Sequence, residues 1–147
     1  MALPSKVFTY QAELIWRGGR TAALTSGNLP ELTVAPPEEF AGGGDDRWSP
    51  EHLFLASLET CTMLSFLAHC AHNDLEVEDY TSAATGSLRR RAGDQRYAFT
   101  HVAVEVHARM AAGQAEAARG LTGKAERDCF ISASTTATVE TDWQITG

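Results

Sequence analysis

The sequence has little positive charge. Its 147 residues include 12 Lys and Arg against 19 Asp and Glu, which gives a formal net charge of -7. This balance argues against a nucleic acid or an anionic membrane as a partner, because both attract basic surfaces. The one basic cluster, Arg89-Arg90-Arg91, lies between two strand-like segments and is interpreted as a solvated turn. We therefore expect no nucleic acid and no membrane among the partners.

Cysteine is also scarce, and an odd count of three argues against a framework of structural disulfides. We see no signal peptide and no apolar stretch of membrane-spanning length, so we expect a cytoplasmic protein. In a reducing compartment, thiols stay reduced unless they are catalytic or bind a metal. His69 and His72 flank Cys70, but no further ligands stand at zinc spacing. We expect neither a metal nor another cofactor.

The order of predicted elements indicates an α+β fold. The length is that of one domain, so we expect residues 1–147 to share a single core. Alternating apolar residues and turn signals predict the following strands: 6–16, 20–25, 31–35, 77–90, 95–110 and 134–146. A Pro- and Gly-rich loop is predicted over 36–47, and a second, weaker helix over 111–127.

A long apolar helix is predicted over residues 50–73. It has three start signals: Ser49 as N-cap, Pro50 at the first position and Glu51 in the first turn. Apolar residues on most sides predict a helix buried in the core of the domain or of an oligomer. Helical spacing places Cys61 and Cys70 on opposite sides of this helix.

Several segments together resemble the signatures of a known family. They are the Gly18-Gly19-Arg20 turn and the stretches WSPEHLF (48–54), ASLETC (56–61) and CFIS (129–132). In this order they look like the peroxidase signatures of the osmotically inducible protein C and organic hydroperoxide resistance superfamily. The resemblance covers almost the whole chain. It implies an OsmC-like fold with antiparallel sheets, a long buried central helix and an intertwined homodimer.

The resemblance also implies four catalytic residues. Cys61 matches the peroxidatic cysteine, which becomes a sulfenic acid, and Cys129 matches the resolving cysteine, which condenses with it to a disulfide. Arg20 matches the arginine that stabilises the thiolate and orients the peroxide, and Glu51 matches the carboxylate that holds this arginine. The implied function is an antioxidant, stress-response peroxidase that reduces alkyl or lipid hydroperoxides to alcohols without a cofactor. An external dithiol, in relatives a lipoyl group on a carrier protein, would restore the thiols.

The chemistry of these residue types fits the implied roles. A thiol in apolar surroundings stays protonated and inert unless a cation is near, and a buried guanidinium in turn needs a carboxylate. An unresolved sulfenic acid oxidises irreversibly, so a second thiol preserves turnover. We expect Phe54, Leu58 and Met63 to line a water-poor pocket that favours alkyl hydroperoxides over hydrogen peroxide.

Two other interpretations remain open. The chain could be a dimeric binding protein or redox sensor for a hydrophobic ligand on the same fold, without peroxidase turnover. Alternatively, both thiols could be packing residues, because cysteine is among the most buried residue types. Cys70 is interpreted in this last way, as a residue of the core.

Overall fold

The structure is a computed structural model and describes residues Ser5–Gly147. The expectation of no signal peptide depends partly on residues 1–4, which lie outside the residues that the structure describes. The chain has two compact units, Met1–Leu53 and Phe54–Gly147. One three-stranded sheet lies in each unit. The expectation of a single domain stays a prediction.

The first unit contains the predicted β-meander. Strands β1 (Glu13–Gly18), β2 (Thr21–Thr25) and β3 (Leu32–Val34) pair antiparallel in the order β1-β2-β3. The strand predicted from residue 6 begins only at Glu13. Gly18 and Gly19 have φ angles of 102° and 56°, a backbone region that favours glycine, and they form the turn that precedes Arg20.

The long helix α1 (Pro50–His72) begins where the sequence predicts. The backbone N–H of His52 donates a hydrogen bond to Ser49 Oγ at 3.2 Å, and Ser49 is wholly buried. This is the geometry of an N-cap residue, which satisfies one of the free N–H groups in the first turn. The predicted N-cap is therefore confirmed.

The second unit has a mixed sheet. Strand β4 (Val77–Arg90) pairs antiparallel with β5 (Tyr97–Met110), whereas β5 pairs parallel with β6 (Thr138–Thr146). The expectation of purely antiparallel sheets is wrong for this last pair. Parallel neighbours need a crossover connection, and a run of three short helices supplies it. These are α2 (Ala115–Arg119), α3 (Thr122–Arg127) and α4 (Phe130–Ala133).

The helix predicted over 111–127 is divided in the structure. Gly120 is the C-cap residue of α2, and α3 starts again at Thr122. Glycine is a poor helix former because it loses the most backbone freedom when it is ordered. The predicted helix is therefore interrupted at Gly120, whereas Gly123 is accommodated within α3.

The core of the second unit lies between α1 and the sheet. The buried residues of α1 recur every four positions, which places them on one face. They are Leu58, Thr62, Phe66 and Cys70. All of these except Thr62 belong to one core cluster with alternate residues of β5: Val102, Val104, Val106, Ala108 and Met110. The helix was expected to be buried on most sides, but within one chain Leu64 is 56% exposed. One buried face is what packing against a single sheet produces.

By length and composition alone, α1 could cross a membrane, with a mean hydropathy of 1.4. The expectation that no stretch has this property is therefore wrong. Core helices pass the same test, so the property is weak evidence of a membrane span. The buried face that packs on β5 is the arrangement of a core helix.

Candidate thiol site

The fold brings two distant cysteines together in the second unit. Cys61 lies on α1 and is partly exposed, whereas Cys129 follows α3 and is 1% exposed. The Thr62 hydroxyl, on the residue after Cys61, lies 3.7 Å from Cys129 Sγ, and Cys61 is near enough to raise the pKa of the Cys129 thiol. Both are free thiols. The two free thiols are therefore neighbours in this unit, as a disulfide between them would require once one sulfur is oxidised.

The Cys129 sulfur has polar neighbours although it is buried. The backbone N–H of Ser132 donates to Sγ at 3.4 Å, and the Thr62 hydroxyl, which also donates to the Leu58 carbonyl at 2.9 Å, lies 3.7 Å from it. Burial is the largest effect and raises the pKa of Cys129, and the Cys61 thiol adds to the rise. The Ser132 N–H and the Thr62 hydroxyl act in the opposite direction, because they stabilise a thiolate. Cys129 must lose a proton before it can act as a nucleophile.

A cavity of about 40 Å³ adjoins this sulfur. It is large enough to hold a water molecule, which needs roughly 10 to 15 Å³ and polar partners. Most of the lining side chains are polar. They are Thr62, Glu126, Cys129, Ser132, Val139 and Thr141.

The segment that leads into Cys129 is tied to α1 by Asp128. His69 Nε2 lies 2.9 Å from Asp128 Oδ2, and Arg127 Nε donates to Asp128 Oδ1 at 2.9 Å. The bonds from Arg127 and then from His69 lower the pKa of Asp128 to about 2. His69, considered above as a metal ligand, is thus the partner of a carboxylate.

Cys70 lies in a different environment. It is 1% exposed and belongs to the apolar core cluster of the second unit. Burial raises the pKa of its thiol, and no opposing contact accompanies that effect among the described residues. The interpretation of Cys70 as a packing residue agrees with this position.

Arg20 and Glu51 both lie in the first unit, where they line a cavity of about 560 Å³. Glu51 Oε2 is buried and has no hydrogen-bond partner within Ser5–Gly147. The ion pair that the resemblance implies is therefore not formed in this structure, although both side chains face one cavity. A buried carboxylate oxygen without a partner is costly, and a guanidinium is the group that would satisfy it best.

The apolar pocket predicted around Cys61, with Phe54, Leu58 and Met63 as its lining, is not found as predicted among the described residues. Leu58 is wholly buried in the core cluster, so the expectation that it lines a substrate pocket is wrong. Phe54 packs against the same cluster and stacks on Phe99 with ring centroids 4.8 Å apart. An apolar lining is found instead in the first-unit cavity, from Leu14, Trp16, Val34 and Phe40.

Sequence reasoning missed the polar residues around Cys129. Thr62 directly follows Cys61, and Glu126 and Ser132 stand three positions before and after Cys129. Helical spacing of three or four residues was the available signal, since it brings such side chains to one face. The spacing could be used only with the knowledge that the short helices α3 and α4 flank Cys129.

A family model described as OsmC-like protein matches residues 42–144. A search of curated protein sequences finds no significant match. The fold is similar to that of an OsmC-like protein of unknown function from Vibrio cholerae, with a TM-score of 0.85 and 19% identity over 93% of this chain and 99% of that one.

Two further solved structures are organic hydroperoxide resistance proteins. The one from Elizabethkingia anophelis has a TM-score of 0.72 and 23% identity, over 98% of this chain and 99% of that one. The one from Bacillus subtilis has a TM-score of 0.65 and 22% identity, over 94% of this chain and 98% of that one. At these identities the similarity shows a shared fold.

Proposed function

Since its matched residues 42–144 make up most of the chain, this protein belongs to the OsmC-like protein family, and we propose that it is a thiol-dependent peroxidase that reduces organic hydroperoxides to alcohols. The observation that carries the proposal is that the fold brings Cys129 beside the stretch of α1 that holds Cys61, with Cys129 Sγ 3.7 Å from the hydroxyl of the next residue, Thr62. The names of the two hydroperoxide resistance proteins with the same fold support the choice of substrate class. Two adjacent thiols supply the two electrons that reduction of a peroxide requires.

The proposed cycle has two steps within the protein. The Cys61 thiolate attacks the terminal peroxide oxygen, so that an S–O bond forms, the O–O bond breaks and the alkoxide leaves as the alcohol after it takes a proton. Cys61 is then a sulfenic acid. The Cys129 sulfur attacks the Cys61 sulfur, an S–S bond forms and the hydroxyl leaves as water. An external dithiol reduces this disulfide, and a lipoyl group on a carrier protein is the proposed donor.

Arg20 and Glu51 are proposed to support the first step. A guanidinium carries five N–H donors and a permanent charge, so it can stabilise a thiolate and bind a peroxide oxygen at once. Glu51 would hold the guanidinium in place for both contacts. The unpartnered Glu51 Oε2 and its place beside Arg20 on one cavity support this pairing.

We also propose that the protein acts as a homodimer. Large apolar side chains near the start of the chain are exposed in the single chain: Val7 (85%), Phe8 (72%) and Tyr10 (89%). Exposed apolar surface of this kind is typical of an interface between subunits. Light scattering coupled to gel filtration measures the mass directly, and a single-chain mass of 15.9 kDa would contradict the proposal.

The first experiment mixes the reduced protein with one equivalent of cumene hydroperoxide and, separately, of hydrogen peroxide. Free thiols are then counted and the disulfide is located by peptide mass. We expect two thiols to be lost as a Cys61–Cys129 bridge, faster with the organic peroxide, while Cys70 stays reduced. Three unchanged thiols would contradict the peroxidase.

Cys61→Ser provides the matching steady-state test. Removal of the attacking sulfur leaves only the buried thiols of Cys70 and Cys129, so turnover should be abolished. Normal turnover by this variant, measured with a dithiol donor, would rule out the assignment.

A second candidate function rests on the first-unit cavity. It is an open cleft with a volume of about 560 Å³, in the size range of small-molecule sites, and it is lined by apolar side chains such as the exposed Trp16 and Phe40. The protein would then bind a hydrophobic ligand without turnover. Saturable binding of a fluorescent apolar probe, together with thiols that do not react with peroxide, would favour this alternative.

A further inference from the structure

The proposed cycle leaves one proton unassigned. Cys129 is 1% exposed, so bulk water cannot take the proton from its sulfur directly. Thiolates rather than thiols are the nucleophiles, and burial favours the thiol. The contacts from Ser132 N–H at 3.4 Å and from the Thr62 hydroxyl at 3.7 Å would stabilise a thiolate, but neither group is a base. The resolving step therefore needs a proton acceptor near this sulfur.

Glu126 is placed to be this acceptor. Its side chain and Cys129 line the same cavity of about 40 Å³. The indole Nε1–H of Trp143 donates to Glu126 Oε1 at 3.0 Å, which fixes the carboxylate and leaves Oε2 free to accept. Glu126 is also exposed to solvent. The carboxylate therefore lies between the cavity and solvent.

The other charged or titratable groups around Cys129 are less suitable as bases. Asp128 is engaged by Arg127 and His69, which lower its pKa to about 2 and make it a weak acceptor. His69 already has its Nε2 on Asp128. Cys61 carries the sulfenic acid at this stage of the proposed cycle. The facing residues of β6, Val139 and Thr141, do not titrate.

We propose that Glu126 is the general base of the resolving step and takes the Cys129 proton through a water molecule in this cavity. The inference rests on the proposed peroxidase function. The water gives a proton to Glu126 Oε2 and receives one from Cys129 Sγ. The thiolate then attacks the Cys61 sulfur, the S–O bond breaks, and the leaving hydroxide takes the proton back from Glu126 to become water. No further oxidant or reductant is needed.

Glu126→Gln tests the proposal, because the amide keeps the shape of the side chain and cannot accept the proton. Stopped-flow mixing with one equivalent of cumene hydroperoxide separates sulfenic acid formation at Cys61 from disulfide formation. We expect the first rate to be unchanged and the second to fall at least roughly tenfold near neutral pH, since general base catalysis usually contributes more than this. Under excess peroxide, the variant should accumulate more sulfinic acid at Cys61.

The pH dependence distinguishes a base from a merely structural residue. In Glu126→Gln the resolving rate should rise with pH as hydroxide formed from the cavity water deprotonates Cys129, and it should approach the wild-type rate at high pH. Glu126→Asp should restore part of the rate at neutral pH. Trp143→Phe, which removes the indole donor but keeps the carboxylate, should slow the step less than Glu126→Gln does.

Glu116→Gln, an exposed carboxylate that pairs with Arg119, is the matched control and should leave both rates unchanged. A Glu126→Gln variant whose resolving rate and pH profile equal those of the wild type would overturn the role of Glu126. The peroxidase itself is tested separately with Cys129→Ser, in which a sulfenic acid trapped by dimedone must appear at Cys61. Absence of that adduct would refute the proposed function, so the two failures are distinguishable.

Discussion

The surroundings of Cys129 and those of Cys70 differ although both thiols are 1% exposed. Burial raises the pKa of each. Cys70 packs among apolar side chains of the core cluster, whereas Cys129 has a backbone N–H, a hydroxyl and a second thiol around its sulfur. Only the second environment can stabilise a thiolate or pass on a proton. Depth of burial therefore does not separate a reactive cysteine from a packing residue here, but the polar contacts do.

The difference follows from where each residue lies in its element. Cys70 occupies the face of α1 that also carries Leu58 and Phe66, so its sulfur points into the sheet. Cys129 precedes the short helix α4, and its extended backbone turns the side chain so that the sulfur accepts the Ser132 N–H. A cysteine at a helix start meets free N–H groups, whereas one inside a helix does not.

The largest difference between the two thiols should appear in steady-state turnover when each is removed in turn. Cys129→Ser should allow one oxidation of Cys61 and then overoxidation to the sulfinic acid, so that steady-state turnover is lost. Cys70→Ala should keep turnover and lower the free energy of unfolding by about 1 kcal/mol, as expected for a small cavity in a core. Peroxide consumption with a dithiol donor and urea denaturation measure the two quantities. Lost turnover in a folded Cys70→Ala protein would remove the distinction between the two thiols.

Alkylation rates of the cysteines in the folded protein should show a smaller but clear difference between Cys129 and Cys70. With iodoacetamide, which is small enough to limit steric exclusion, Cys61 should react first because it is partly exposed. Cys129 should react slowly, and Cys70 should react only after urea unfolds the protein. Peptide mass after timed quenching gives the three rates. Equal rates for Cys70 and Cys129 at high pH would show that the cavity gives Cys129 no access to solvent.

The Thr62 hydroxyl allows a still finer test. Thr62→Val keeps the volume and removes the group 3.7 Å from Cys129 Sγ, so the pKa of Cys129 should rise. We expect disulfide formation to slow by about two- to tenfold, the range of one hydrogen bond. Ser65→Ala is the control, because Ser65 also lies on α1 and donates to the Ala125 carbonyl at 2.8 Å. An equal slowing in both variants would indicate a general loosening between α1 and α3.

Local sequence signals predicted most of the fold. The N-cap at Ser49, the glycine turn at Gly18-Gly19 and the long strands β4 and β5 are encoded by neighbouring residues, and the structure has all of them. The parallel pairing of β5 with β6 could not be predicted in this way. It depends on how the crossover from Ala111 to Ala137 packs, which is a property of the whole unit.

The site was predictable only in part, for a related reason. Cysteine and arginine are rare enough to stand out beside family signatures, so Cys61, Cys129 and Arg20 could be singled out. Thr62 and Glu126 have common side chains whose role depends on a contact across the fold, to Cys129 in one case and to Trp143 in the other. Leu58 was misplaced because an apolar residue near a thiol can face either a pocket or the core.

The smallest expected effect concerns the hydrogen bond between His69 and Asp128. His69 directly precedes Cys70 and Asp128 directly precedes Cys129, so this bond links the two thiol environments. The pKa of Asp128 is about 2, below its ordinary value near 3.9, so ionised Asp128 stabilises the fold above about pH 4. This contribution is lost as the pH falls through about 2. Asp128→Asn should therefore be less stable than the wild type at pH 7, and urea denaturation should show the difference shrinking as the pH approaches 2.

Asp94→Asn is the matched control, since Arg91 lowers the pKa of Asp94 to about 2 in the β4–β5 turn. Both variants should show the same pH dependence, but only Asp128→Asn should speed hydrogen exchange at the Cys129 backbone N–H. Exchange near Cys70 should stay slow in both, because its core contacts do not involve the carboxylate. Faster exchange near both cysteines in Asp128→Asn would mean that the two environments open together. They would then differ in the polar contacts of the sulfur but not in local stability.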